Sequence, residues 1–281
     1  MDHEEMLKQA RRAYARAELP GASRKFEGTT AEPFPPPPDR ALPPDAFVDR
    51  LVGAAFQASP KLRHPFAIRL ARGEWSKSQI QEWVRQDYQR TICLIRRHAL
   101  LAANSPDYDT VWALLTRVKA EADADPVGGV FFALPQLWIK FGISLGLSRE
   151  EVTSFRPHPL LELLNDSTLN EVRFSSVLPA GDFVEALLDP VFYRVWGDAL
   201  ENSFRLPSDA LDFFWAVAAD RWGEESGRAL LSRGVGGRAL IQQWAASEES
   251  QTALWNRYRA EVEQGREWQR LTLLQKILES A

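Results

Sequence analysis

Residues 64–107, HPFAIRLARGEWSKSQIQEWVRQDYQRTICLIRRHALLAANSPD, decide the fold. Pro65 suits the first position of a helix, because its φ is already helical and its missing N–H has no partner to lose there. Gly73 ends that helix. Ser76-Lys-Ser-Gln79 reads as a capping box, in which the Ser and Gln side chains satisfy each other's backbone N–H groups. From about 77 to 104 neither Pro nor Gly interrupts the chain, and apolar residues recur at helical spacing, which predicts one long helix. Asn104-Ser-Pro-Asp107 is its exit turn.

That helix carries charge where a core face is expected. Trp83, Asp87, Arg90, Leu94, Arg97 and Leu101 share one stripe; Val84, Tyr88, Thr91, Ile95, His98 and Ala102 share the next. Apolar residues hold most of both stripes, so at least one charged position should face an interior. Two readings follow: a surface ion-pair network, or a polar cavity in which arginines recognise an anionic ligand.

Towards the amino terminus, Met6, Ala10, Tyr14 and Ala17 predict an amphipathic helix over 3–19, stopped by Pro20-Gly21. It is too short and polar to be stable alone, so it packs on the main body or on a partner subunit. Residues 21–46, with AEPFPPPPDRALPPD, read as an extended polyproline-type connector outside the core. Asp45 is the expected cap of a helix bearing Phe47, Val48, Leu51, Val52 and Ala55, which Ser59-Pro60 ends. The division is thus an arm, 1–46, and a helical domain, 47–281.

Towards the carboxyl terminus, helices are expected at 108–123 and 131–145, and a second capping box at Ser148-Arg-Glu-Glu151. The polar stretch 156–180 has room for one short helix. Helix 181–204 should be interrupted or kinked at Asp189-Pro190. Further helices are expected at 208–232, 237–263 and 266–280. No sustained period-two alternation occurs, so the fold class is all-α.

Composition narrows the function. The chain has 281 residues, 45% hydrophobic and 26% charged, with net charge −4. Mild acidity without clustered basic charge argues against nucleic acid and anionic membrane as partners. No apolar run approaches the roughly 18 residues of a membrane span, and MDHEEMLKQARR lacks the apolar core of a signal peptide. The single cysteine, Cys93, sits between Ile92 and Leu94 and reads as a packed thiol; a reducing, cytoplasmic setting is expected.

Metal and nucleophile motifs are sparse. The four histidines, His3, His64, His98 and His158, have no ligand spacing, and no Glu-x-x-His occurs. Glu121, Asp123 and Asp125 cluster at a helix end, where solvated polar residues are ordinary. The glycines 234, 236 and 237 follow no strand and read as a helix stop.

The block HPFAIRLARGEWSKSQIQEWVRQDYQR…AANSPD, followed by LWIKFGISLGLSREEV, resembles the PqqC family, cofactor-free oxidases that complete pyrroloquinoline quinone synthesis. The pattern HP-φ-x5-G-x5-QI-x-x-W-V, AN-x-PD and GLS-R-x-E/D is shared in order and spacing over roughly 64–152. The resemblance implies a heme-oxygenase-like bundle of seven to eight helices around a central cavity, usually as a homodimer, with the TenA thiaminases and diiron oxygenases as wider relatives. His64 matches the family histidine beside the proline, Arg117 an arginine that contacts the quinone precursor, and Arg97 a lysine. The tyrosine-histidine pair before HP becomes Pro60-Lys61, a cavity histidine becomes Glu121, and later cavity positions become Phe213, Phe214 and Trp215. In the diiron branch the first glutamate falls on Arg90 and the late ligand run on Ala219, Gly223 and Ser226, leaving Glu121.

The expectation is therefore a metal- and cofactor-independent oxidoreductase for an anionic, conjugated small molecule in a biosynthetic pathway. Arg90, Arg97, Arg117, Asp87 and His64 would bind substrate, and Glu121 or His98 would move protons. The alternatives are a non-catalytic bundle that binds a small molecule or a partner subunit, its cavity filled by Phe213, Phe214, Trp215 and Trp222, and a degenerate diiron oxygenase.

Overall fold

The structure, a computed structural model, describes residues 2–19, 34–122, 134–173, 180–218 and 237–281. Every regular element among them is helical, as the all-α reading requires. The order is α1 His3–Arg16, α2 Pro44–Ala58, α3 Pro60–Arg63, α4 Pro65–Ala71, α5 Lys77–Asn104, α6 Tyr108–Ala122 and α7 Leu134–Ser144. Then come α8 Arg149–Thr153, α9 Pro159–Arg173, α10 Ala180–Phe204, a 3-10 turn at Ser208–Leu211, α11 Asp212–Ala218, α12 Gly237–Trp244, α13 Glu248–Glu263 and α14 Arg266–Ser280.

Two long helices organise the bundle. α5 starts at the Ser76–Gln79 capping box, both halves of which form, and spans about 42 Å at 1.5 Å per residue. α6, α7, α8, α9 and α14 pack around it. α10 is the second hub, gathering α1, α2, α4, α11, α12 and α13. The hubs do not pack along each other. α4 and α14 bridge them on one side and α7 with α11 on another. Trp83, Trp138, Phe141, Phe213 and Phe214 close the space between α5, α7 and α11, with Trp83 and Trp138 at 5.2 Å and Trp138 and Phe213 at 4.6 Å between ring centroids. Each such buried side chain contributes roughly 1.5–3 kcal/mol from apolar burial.

Several boundaries differ from expectation. α2 begins after Pro43 with no side-chain cap, and Asp45 lies inside its first turn, so the 46/47 division cuts a helix. Ser59 both closes α2 and caps α3, accepting from Lys61 N. Helix α9 runs 15 residues, longer than the short helix expected in 156–180. Its core stripe is narrow (Leu161, Leu164 and Val172 face inward while Leu160 and Leu163 stay exposed), which disguised it in a polar stretch. α10 continues through Pro190 without a break. Ser247 splits the helix expected over 237–263, because its hydroxyl caps Ser250 N. Of the helix expected over 208–232, the part beyond 218 lies outside the described residues, as do Trp222, Asp123, Asp125 and Gly234.

The amino-terminal arm is part of the core. Met6, Ala10 and Tyr14 of α1 are buried against α10 and α3, and the Tyr14 hydroxyl donates to Lys61 O at 2.6 Å. Phe34 is 3% exposed and packs on Trp255 at 5.4 Å and Tyr258 at 5.2 Å. The Trp255 indole donates to Pro35 O, and Gln251 exchanges two hydrogen bonds with the Leu42 backbone. This corrects the connector reading for 34–43: a proline-rich segment has few backbone donors of its own, and side chains of α13 supply what holds it.

Candidate active site

Four helices aim charged side chains into the gap between the hubs, and a fifth adds a tyrosine. From α10, Glu185, Asp189 and Tyr193 stand at i, i+4 and i+8 and therefore share one face. From α14 come Glu267 and Arg270; from α5, Asp87 and Arg90; from α3, Lys61; from α13, Tyr258. Although surrounded by these helices, Glu185, Asp189, Arg90 and Glu267 keep 33, 30, 25 and 23% of their side-chain surface. From surface that deep we infer an internal recess between α5 and α10.

The recess has two charged halves. In the first, Lys61 Nζ donates to Glu185 Oε2 at 2.8 Å and to Asp189 Oδ1, and the Tyr258 hydroxyl donates to Glu185 Oε1 at 3.3 Å. Burial alone would discharge Lys61, but Asp189 and Glu185 outweigh it and hold the ammonium charged. Burial also pushes the Glu185 carboxyl up, Lys61 pulls it down, Asp189 pushes it up again, and the balance is upward. Tyr193 is pushed up to about 12 by burial and by Asp189. In the second half, Arg270 grips Glu267 with Nε and Nη2 at 2.9 and 2.7 Å and spans both Asp87 oxygens with Nη1. The Trp83 indole donates to Asp87 at 3.2 Å. Burial opposes the charge on Glu267, but Arg270 and Arg90 keep it ionised, well below the usual carboxylate range.

The residues singled out from the sequence are dispersed. Asp87 and Arg90 line the recess. The only hydrogen bond of Arg90 among the described residues is to Glu267 at 3.4 Å, so most of its donors remain available. Arg97 is 8% exposed and spent on structure: Nε donates to Asp182 at 2.8 and 3.0 Å and Nη1 to Thr168 O at 2.8 Å, tying α5 to α9 and α10. His98 stands eight positions beyond Arg90, about 12 Å along the axis, and pairs through Nδ1 with Glu121 Oε2 at 2.7 Å. Arg117 donates to the other Glu121 oxygen at 2.6 Å. Burial would raise the Glu121 carboxyl, yet His98 and Arg117 together hold it at about 2. That triad clamps α5 to α6, and its carboxylate carries no proton near neutrality.

His64 is committed to the backbone. Its Nδ1 accepts from Phe66 N at 3.1 Å, so the ring proton sits on Nε2, which donates to Thr272 Oγ1 at 3.0 Å. Thr272 in turn donates to Trp268 O. Burial lowers the His64 pKa to about 4. Phe213 and Phe214 are core residues beside Tyr193, while Trp215 is half-buried under Arg194. Cys93 donates weakly to Asn165 O at 3.6 Å, and burial raises its thiol. Among the described residues, no three His, Cys, Asp or Glu side chains converge to hold a metal, and no helix is long and apolar enough to cross a membrane.

Sequence reasoning missed Lys61, Glu185, Asp189, Tyr193, Glu267 and Arg270. A signal existed: in FVEALLDPVFY, residues 183–193, the only ionised groups are Glu185 and Asp189, one turn apart on an otherwise apolar helix. Such a pair faces the interior and needs a cation there.

The chain matches the TENA/THI-4/PQQC family over residues 54–175. It is 34% identical over 118 residues to the pyrroloquinoline-quinone synthase of Klebsiella pneumoniae (strain 342), covering 41% of this chain and 43% of that protein. Similar matches are to the enzymes of Acinetobacter baumannii (strain AYE), 31% over 91 residues, 32% of this chain and 34% of the relative, and Pseudomonas aeruginosa (strain LESB58), 28% over 118 residues, 41% and 45%. The chain matches less than half the length of these curated relatives.

Proposed function

We propose that the chain is a PqqC-like oxidoreductase acting, without a metal, on an anionic conjugated small molecule in cofactor or natural-product biosynthesis, and that the substrate occupies the recess between α5 and α10. The observation that carries this reading is the concentration of buried charge there. Seven ionisable groups (Lys61, Asp87, Arg90, Glu185, Asp189, Glu267 and Arg270) meet where apolar side chains would serve stability equally well. Charge kept at that cost is suited to binding and chemistry. Arg90, with donors to spare, is the cation able to take a substrate carboxylate; Arg97, Arg117 and Arg270 are occupied by Asp182, Glu121, Glu267 and Asp87.

The chemistry is a two-electron oxidation. A conjugated enol or hydroquinone gives two electrons and two protons to dioxygen, yielding the oxidised substrate and hydrogen peroxide. The protein's part is to exclude water, align the substrate against Arg90 and accept a proton. The test is a panel of reduced heteroaromatic and quinol carboxylates, incubated with chelator-treated protein and followed by oxygen uptake and absorbance. Saturable uptake that falls at least tenfold in Arg90→Met supports the reading. No uptake with any member, or uptake that depends on added iron, defeats it.

The pairing of Arg97, Arg117 and Arg270 within the chain favours a second reading, a bundle that binds a small molecule without transforming it. Binding of the same panel by calorimetry, with no oxygen uptake, would select it. We also propose a homodimer, as in the family, to be read by sedimentation.

A further inference from the structure

We propose that Glu185 is the proton acceptor of the recess, taking a proton from a hydroxyl of a conjugated ligand held between Lys61, Tyr193 and Arg90. This rests on the functional reading above and assigns its acid–base group, in place of Glu121 and His98.

The argument is geometric first. Glu185 sits on α10 within the charged cluster, and a third of its side-chain surface is exposed. Lys61 fixes Oε2 and the Tyr258 hydroxyl fixes Oε1, so the carboxylate is oriented from both sides. Tyr193, two turns along the same face, has no hydrogen-bond partner for its hydroxyl among the described residues and is free to meet a ligand oxygen. When the ligand O–H bond breaks, its proton adds to Glu185 and the electron pair stays on the ligand oxygen. The negative charge lost by the carboxylate reappears on that oxygen, near Arg90 and the Tyr193 hydroxyl. Charge is conserved within the recess, so no counter-ion needs to enter.

The competing groups fail the same test. Glu267 is bound by Arg270 through both oxygens and is held ionised. Asp87 accepts from Arg270 and Trp83. Asp189 shares Lys61, and its charge raises the proton affinity of Glu185. Burial, then Glu185 and Glu261 of α13, raise the Tyr258 hydroxyl, which keeps that phenol a donor. Glu121 lies between His98 and Arg117, outside the recess. The balance of Lys61, Asp189 and burial therefore leaves Glu185 as the carboxyl poised to gain a proton.

Two measurements on the full chain test this. In protein labelled with [5-13C]glutamate, one carboxyl resonance should titrate above all the others, vanish in Glu185→Gln and move to lower pH in Asp189→Asn. The second uses 4-nitrocatechol, whose absorbance reports its own ionisation. The wild type should bind it saturably and ionise it at a pH where it is neutral in solution; Glu185→Gln, saturated at a higher ligand concentration, should leave it neutral. Equal ionisation in Glu185→Gln, absence of saturable binding, or a Glu185 resonance that titrates with the ordinary glutamates overturns the proposal. If Glu185→Gln does not fold, as circular dichroism would show, Asp189→Asn decides: its nitrocatechol must be ionised less than in wild type. Failure of the oxidase reading is separate, appearing as no oxygen uptake while nitrocatechol ionisation persists.

Discussion

Arg270 Nη1 donates to both carboxylate oxygens of Asp87, at 2.8 and 3.0 Å, across the junction of α14 and α5. The pair joins the carboxyl-terminal helix to the helix on which the fold is built. Arg270 also holds Glu267 through a two-nitrogen fork, so one guanidinium serves two carboxylates. Burial disfavours its charge, Asp87 and Glu267 restore it, and the net shift is upward.

Breaking this pair from one side should be costly. Arg270→Met leaves Asp87 without its cation and Glu267 with Arg90 alone, and urea unfolding should show a loss of about 3–5 kcal/mol. Asp87→Leu combined with Arg270→Met should cost less than the sum of the single changes, because neither residual charge is then stranded at Asp87. A strictly additive double-mutant cycle would contradict the pairing.

Acid should loosen the clamp between α5 and α6. Glu121 lies at about 2 in the folded protein against 4.5 when free, with its carboxyl buried. A lowered carboxylate stabilises fully above the unfolded pKa, and the contribution disappears as pH falls from 4.5 towards 2. The shift corresponds to about 3 kcal/mol. Glu121→Gln should start less stable at pH 6 and lose less than wild type over that window, measured by denaturant midpoints. Parallel acid profiles for the two proteins would count against the clamp.

His64 predicts a second, higher window. Its folded pKa is about 4 against 6.5 free, because burial favours the neutral ring. The neutral form is preferred in the fold, so stability is full above 6.5 and declines as pH falls from 6.5 towards 4, by about 3 kcal/mol in all. Asn can cap α4 without titrating. His64→Asn should therefore flatten the stability profile between those pH values while leaving the fold intact by circular dichroism.

The docked arm makes a further prediction. Phe34 is 3% exposed between Trp255 and Tyr258, so Phe34→Ala should cost about 3–5 kcal/mol, the range for emptying a large aromatic site in a core. Limited proteolysis should then cut within 34–43 first. A loss below about 0.5 kcal/mol would mean that the arm lies on the surface.

Gly73 offers a backbone test. Its φ is +65°, and a Cβ there would stand 1.9 Å from Ser203 Oγ on α10. Gly73→Ala should destabilise by at least about 1–2 kcal/mol from the left-handed conformation alone. Adding Ser203→Ala should recover only the part due to the clash. Full recovery would show that the φ requirement is absent.

Much of the fold was legible because its signals are local. Ser76 and Gln79, Ser148 and Glu151, and Pro65 after His64 each act within four residues, and each forms as read. The unbroken spacing from 77 to 104 specified α5 to the residue. Where the signal was weak the reading slipped: α9 has a single narrow apolar stripe, and Ser247 interrupts a continuous pattern with a cap that only its pairing to Ser250 reveals.

The site was less legible, because charge neutralisation is a tertiary event. Taken alone, the sequence determined that this chain is an all-helical bundle built on the 64–107 block, and that α5 carries more charge than a core face tolerates unpaired. It could not determine which arginine is saturated. Arg117 meets Glu121 within its own helix, but only folding brings Asp182 to Arg97 and Asp87 to Arg270 across 183 positions of sequence, leaving Arg90 with donors to spare. Helical spacing places a charge on a face; whether that charge binds a ligand or its own chain depends on carboxylates from helices remote in sequence, which meet it only when the two hubs are fixed.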